Sequence, residues 1–215
     1  MLKYVLKLLL LSLVSFSIKA QQQPFDGGIS GGITGAQIDG DTYFGFRHFG
    51  FNAGAFTRVK FYEDLQLMLE IRYCGRGATY TGTEESPALY RRSLHYIDFP
   101  ISAMGIFNKY SLNLGLSPGL LLSSSLYDNA GLSPAGEIPF KSMDLGVFIG
   151  GGYTIRKDMW VSLRYTYSAV PIRERTTANN SFNNYSTLGR ILKLRDGDFN
   201  NYLNITLYYI LDKND

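Results

Sequence analysis

The chain has little of what ties a disulfide-bonded or metal-centred fold together. Its 215 residues include one cysteine, Cys74, so neither an internal disulfide nor a cysteine metal cluster is available. Histidine occurs only at positions 48 and 95, and charged residues make up just 18% of the chain. Past the first twenty residues, glycines and charges interrupt every apolar stretch. No later segment therefore offers the roughly 20 apolar residues a membrane-spanning helix needs. Excess positive charge is missing too. There are 21 Lys+Arg against 18 Asp+Glu, but Lys3, Lys7 and Lys19 all precede residue 21 and leave equal numbers of each sign behind them. The pI of about 8.8 belongs to those first residues and implies no nucleic-acid partner.

The first twenty residues have the layout of a cleavable secretory signal: Lys3 and Lys7, an apolar run over 8–18, then Ile18-Lys19-Ala20 before Gln21. Residues 1–20 are expected to be removed, leaving 21–215 as one exported domain. No cysteine stands at the cleavage point, which argues against a lipid-anchored N-terminus.

What the chain does have is aromatics, glycine and alternation. Tyr and Phe number 16 and 14, and Gly 23. From Leu65 the sequence reads LQLMLEIRY, with Leu65, Leu67, Leu69, Ile71 and Tyr73 on one face and Gln66, Met68, Glu70 and Arg72 on the other. A period of two with one apolar and one charged face is a β-strand between two media. Repeated in segments of about ten residues behind an export signal, it points to lipid on the apolar side.

Eight strands are predicted, at 25–37, 45–59, 65–80, 91–107, 110–122, 141–155, 159–170 and 200–211. Three connections are short: 60–64, Asn108-Lys109 and 156–158; the other four are longer, the longest being 171–199. Tight turns at one end and long loops at the other are the pattern of outer-membrane barrels, with the tight turns periplasmic. The expected fold is an all-β, eight-stranded antiparallel up-and-down transmembrane β-barrel. Residue parity sharpens it. A five-residue turn pairing Val59 with Leu65 keeps odd residues outward, the two-residue turn pairing Phe107 with Tyr110 switches outward to even, and a three-residue turn pairing Ile155 with Met159 keeps odd outward. The apolar faces follow in each case, and a one-residue slip would put every side chain on the wrong face. Pro118 lacks an amide donor, so a bulge or kink is expected there.

The inward set includes Arg58, Glu70, Arg72, Arg76, Asp98, Asp144 and Arg164, with Gln66, Tyr96 and Trp160 among them. Eight strands leave an interior that side chains can just fill. These charges read as a compensated, water-bridged lumen network, since buried charges must be paired; a narrow gated pathway is the alternative. Ser93 and His95 share one face at the outer end of the fourth strand, an arrangement that would suit acyl chemistry on an outer-leaflet lipid. No acid is evident to orient His95, because Glu84 and Glu85 lie in a loop and Asp98 points to the opposite face. His48 is expected inward near the outer rim. Gly150-Gly151-Gly152 falls inside a strand and forms no phosphate loop. The glycosylation-like Asn204-Ile205-Thr206 also falls inside a strand, and the asparagine-rich stretch at 176–187 reads as a solvated loop. No cofactor and no metal are expected.

Several segments resemble the PorT-like outer-membrane β-barrel family of Bacteroidetes across most of the chain past the signal. They are YIDFPI (96–101), LGLSPGLLLSS (114–124), DLGVFIGGGY (144–153) and VSLRYTYS (161–168). Pro100, Gly115, Gly119, Gly146, Gly150, Gly152, Arg164 and Tyr165 match the recurring positions of that family. The resemblance implies an eight-stranded barrel in the outer membrane. By analogy with the family's founder, linked to type IX secretion, it implies an accessory role in export. The last strand ends Tyr208-Tyr209-Ile210-Leu211 before Asp212-Lys213-Asn214-Asp215 rather than on an aromatic residue, so its assembly signal is imperfect or internal. The resulting reading is a non-enzymatic outer-membrane barrel. Outer-membrane lipid is its partner, and secretion-apparatus or surface proteins would meet loops 81–90, 123–140 and 171–199; no oligomeric state is implied. Two other readings stay open: an outer-leaflet lipid hydrolase using Ser93 and His95, and a soluble, lipocalin-like periplasmic barrel with apolar residues inside.

Overall fold

Among the described residues, each of the eight segments expected as strands forms antiparallel β-structure and finds a neighbour on both sides. The computed structural model describes residues 25–40, 45–62, 64–82, 89–128, 131–132, 139–174 and 197–213. The expected signal at 1–20 and most of the loops at 81–90 and 171–199 lie outside these residues. The strands are β1 (Phe25–Asp39), β2 (His48–Tyr62), β3 (Leu65–Thr81), β4 (Leu89–Asp98), β5 (Ile101–Phe107), β6 (Tyr110–Asp128), β7 (Gly131–Leu132), β8 (Met143–Arg156), β9 (Met159–Ser168) and β10 (Phe199–Lys213). Strands β4 and β5 both pair with β3 on one side and β6 on the other, so they are two halves of one stave. The short β7 only extends the outer end of β6. With those two economies the ring has eight staves, closed by β1 pairing with both β2 and β10. Closure leaves no unpaired edge, which lipid requires.

The exterior is apolar. Ile33, Phe51, Ile71, Leu114, Ile149, Leu163 and Ile205 are all exposed, while the alternate residues of the same strands turn inward. Exposed Phe25, Tyr62, Phe107, Tyr110 and Tyr153 gather at the tight-turn end, an interfacial aromatic girdle. The soluble alternative with an apolar interior is overturned by this distribution.

Two of the three tight turns are built differently from the expectation, yet parity survives. The β2–β3 turn pairs Tyr62 with Leu65 across two residues, and the bulge between Lys60 and Tyr62 then brings Val59 opposite Leu67 rather than Leu65. The β8–β9 turn likewise pairs Arg156 with Met159, and a bulge between Thr154 and Arg156 puts Thr154 opposite Trp160. A two-residue turn switches the outward face and the bulge switches it back, so odd residues stay outward as the longer turns would have kept them. The β5–β6 turn pairs Phe107 with Tyr110 and carries no bulge, with Asn108 in the left-handed region (φ 60°) that asparagine tolerates.

The irregularity expected at Pro118 appears on the neighbouring stave. Pro118 pairs with Leu145 without a shift, but β4 and β5 part at Phe99-Pro100 opposite it. Neither proline can donate, and the segment is held instead by the Phe99 amide on the Pro118 carbonyl (2.8 Å) and the Glu70 amide on the Pro100 carbonyl (2.9 Å). The bulge of β6 falls at Leu122, where Tyr96 pairs with Leu121 and His95 with Ser123. β6 runs on to Asp128, past its expected end at 122.

Candidate functional site

The lumen is packed in three layers. At the tight-turn end Phe56, Met68, Met104, Trp160, Tyr208 and Ile210 form an apolar plug. Within it the Trp160 and Tyr208 rings stack 4.7 Å apart, and Phe56 meets each edge-on. At the loop end Ile38, Ala78, Leu94, Tyr96 and Ile172 form a second plug, with Tyr90, Leu121 and Phe140 against it. Alternation alone did not disclose these plugs: Ile38 and Leu94 are apolar residues on the polar face, and Ile172 comes from beyond β9.

Between the plugs lies a ladder of charge. Arg164 donates to Glu70 at 2.7 Å, and the Tyr208 hydroxyl donates to the other Glu70 oxygen at 3.0 Å. Arg72 lies between Glu70 and Asp98, at 4.0 and 3.9 Å. Arg76 binds Asp98 through one terminal nitrogen and Asp144 through the other, the second at 2.8 Å. Asp144 also accepts from Asn200 at 2.8 Å. The rings of Tyr96 and Tyr202 sandwich the Arg76 guanidinium at 4.3 Å each, and Phe148 lies 4.1 Å from that of Arg164. Three arginines meet three carboxylates, so the layer is neutral. Such burial is tolerated because each ion has counter-ions or hydrogen bonds at hand.

Arg58 stands apart from this ladder. It pairs with Asp26 at 2.8 Å and lies over the Trp160 ring at 5.0 Å, below the inner plug. Asp26 escaped the sequence reading although its parity on β1, opposite that of outward Ile29 and Ile33, places it inward. Asn52, Thr34, Asn204 and Thr206 were also missed as a group. Thr206 donates to Asn52 (3.0 Å) and Thr34 to Asn204 (2.8 Å), a neutral patch beside the charges. Asn204, inside this patch, is buried and cannot serve as a glycosylation acceptor in the folded barrel.

A cap closes the loop end. The Lys141 amide donates to the Ile172 carbonyl and the Ile172 amide to the Asp198 carbonyl. Arg173 pairs with Asp198 at 2.5 Å, and the Phe140 ring lies between the guanidinium groups of Arg92 (4.9 Å) and Arg173 (4.7 Å). His48 points inward beneath this cap and shares a hydrogen bond with Thr79 (3.1 Å).

Ser93 and His95 sit on the outer surface, paired across the strands with Ser125 and Ser123. The His95 ring shares its hydrogen bond with the Tyr73 phenol, which also stacks on it. Among the described residues no carboxylate contacts His95, and Asp98 is committed to Arg76 inside the barrel. Nor do the described residues include any cluster of ligands fit for a metal ion.

An antiparallel ring of eight staves, apolar outside and charge-paired inside, is a transmembrane β-barrel. Residues 19–172 match the outer membrane protein beta-barrel domain family, and the chain belongs to it. It is an outer-membrane protein. Solved structures it resembles include Ail, the attachment invasion locus protein of Yersinia pestis, at 15% identity and TM-score 0.49, covering 86% of this chain and 98% of that one. Ail in complex with the heparin analogue sucrose octasulfate gives 14% and 0.47, covering 87% and 99%. Neisserial surface protein A gives 12% and 0.44, covering 86% and 96%. No curated protein matches the chain.

Proposed function

We propose that this is a closed, non-enzymatic outer-membrane barrel that works through its loops, as an accessory of secretion or in surface interaction. The observation that carries the reading is the neutral ion-pair ladder held between two apolar plugs, with Arg72, Arg76 and Arg164 among the largest fully buried side chains. A lumen filled in this way holds the staves together and leaves solutes no wetted path. The network of Glu70, Arg72, Arg76, Asp98, Asp144 and Arg164 is thus structural rather than a conduction route, and Arg58, expected within it, pairs with Asp26 outside it. Reconstituted into planar bilayers, the purified protein should give no discrete conductance steps; stable channels would overturn the closed-lumen reading.

The non-enzymatic reading rests on the lone Ser93–His95 pair. Its histidine is oriented by a phenol, and no hydrogen bond joins the two side chains among the described residues. Ser93→Ala and His95→Ala variants should leave the lipid composition of the host membrane unchanged, whereas loss of a lipid modification in either would restore the hydrolase alternative. The PorT-like segments support the secretion arm, with a signal at 1–20 that is removed on export. Deletion in the native host should trap type IX cargo inside the cell, and unaltered cargo release would leave surface interaction as the role.

A further inference from the structure

The inner plug does not reach the end of the barrel. Below it, on the tight-turn side, a cavity of about 320 Å³ opens toward the periplasm, close to the lower bound of small-molecule sites at about 300 Å³. Four cations line it: Arg58 and Lys60 from β2, Arg156 from β8 and Lys157 from the turn that follows. Trp160 and Gln66 stand among them at the closed end. Arg58 is matched by Asp26, and Arg156 by Asp158 at 3.3 Å. Lys60 and Lys157 have no carboxylate partner among the described residues, so the described lining and its ion-pair partners carry an excess of two positive charges. Gln66 is buried, and its amide oxygen has no hydrogen-bond partner.

We propose that this vestibule is a blind cup for a small polyvalent oxyanion, one bearing phosphate or carboxylate groups, taken up from the periplasm. Interfacial lysines often turn outward to lipid headgroups, but here the bulge before the β2–β3 turn keeps Lys60 on the lumen side, where it lines the cavity with the others. Cations gathered on low-dielectric walls raise the local concentration of anions. The lysines supply the uncommitted charge, and the two guanidinium groups, held by Asp26 and Asp158, add only their remaining N–H donors. The unpartnered Gln66 amide oxygen is an acceptor for a hydroxyl or protonated oxygen of the ligand. Phe56, Trp160 and Tyr208 close the floor, so a ligand held here has no way through. The cup lies at the opposite end from the loops and does not depend on what they do.

Trp160 is the sole tryptophan and lies within the cup, so its emission reports the site directly. The experiment titrates the full barrel in dodecyl maltoside, a detergent without phosphate, with pyrophosphate and separately with citrate at constant ionic strength. Calorimetry is run in parallel. A saturable change is expected with at least one probe, weakened at least tenfold in K60Q/K157Q and retained in K60R/K157R. The heat-dependent gel shift of all three proteins checks that the barrel is intact. Response to pyrophosphate alone would assign the cup to phosphate esters, and response to citrate alone to polycarboxylates. No heat and no emission change at millimolar probe, or an unchanged response in K60Q/K157Q, would overturn the proposal.

Discussion

Arg164 and Glu70 join diametrically opposite staves. β9 lies four positions from β3 whichever way the ring is followed, and the 2.7 Å contact between the two side chains crosses the full width of the lumen. Ninety-four residues of chain separate the partners.

Breaking that contact from one side should cost far more than removing it whole. Glu70→Ala leaves Arg164 buried without its closest counter-ion, a loss on the order of 3–5 kcal/mol for buried pairs. The double variant E70M/R164M keeps the layer neutral and should lose much less. Urea unfolding from lipid vesicles checks the difference, and equal losses in the two proteins would show that the charges act independently.

The lipid face should respond to charge according to depth. Leu116 is exposed midway along the apolar run of β6 and Tyr127 at its outer end. Leu116→Arg should destabilise by about 2–4 kcal/mol and Tyr127→Arg by about 0–1 kcal/mol. The same vesicle assay reads both, and a reversed order would misplace the membrane.

Adjacent glycines on β1 should tolerate alanine very differently. A Cβ on Gly32 would lie 2.0 Å from the Ile205 carbonyl oxygen, whereas one on Gly31 meets nothing within 4 Å. The first allows the backbones of β1 and β10 to close together where the ring curves. Gly32→Ala should cost about 1–3 kcal/mol through overpacking; Gly31→Ala should fold as the wild type does. Gel-shift midpoints on heating compare the two.

Cys74 provides a probe of the plugs. It is fully buried on the lumen face of β3, 3.8 Å from the Thr34 hydroxyl. A maleimide should label it orders of magnitude more slowly in the folded barrel than in urea, because labelling requires local opening. In a C74S background, Ser111→Cys on the wall of the periplasmic cup should label readily. Fast labelling of native Cys74 would mean that the plugs leak.

The staves were legible because alternation is a local property. Leu65 to Tyr73 reveal their two faces without reference to any partner, and so do Leu112 to Ser117. The bulges before Tyr62 and Arg156 were not legible, since a bulge exists only in the register between two strands. The sequence reading reached the correct parity through turns of the wrong length, because a two-residue turn plus one bulged residue is equivalent in parity to an odd-numbered turn. The inward charges could be read from the same alternation, but their pairing could not: that Glu70 meets Arg164 and Arg76 meets Asp144 depends on closure of the ring. Ile172 and the cap around Phe140 were hidden for a similar reason, as side chains from connecting segments that pack into the lumen.

The ladder also bears on how the barrel is made. Glu70, Arg72 and Arg76 arrive early in the chain on β3, while Asp144, Arg164, Asn200 and Tyr208 arrive on β8, β9 and β10. A half-inserted sheet would keep the contacts of Arg72 and Arg76 with Asp98 on the adjacent stave. It would lack the partners of Glu70 and Arg76 on β8 and β9, at a cost of several kcal/mol for each charge left unpaired. Only the last stave, once zipped to the first, brings the two sets together. The cross-lumen contacts thus tie the charges of an early stave to those of late ones, and only closure of the ring completes them.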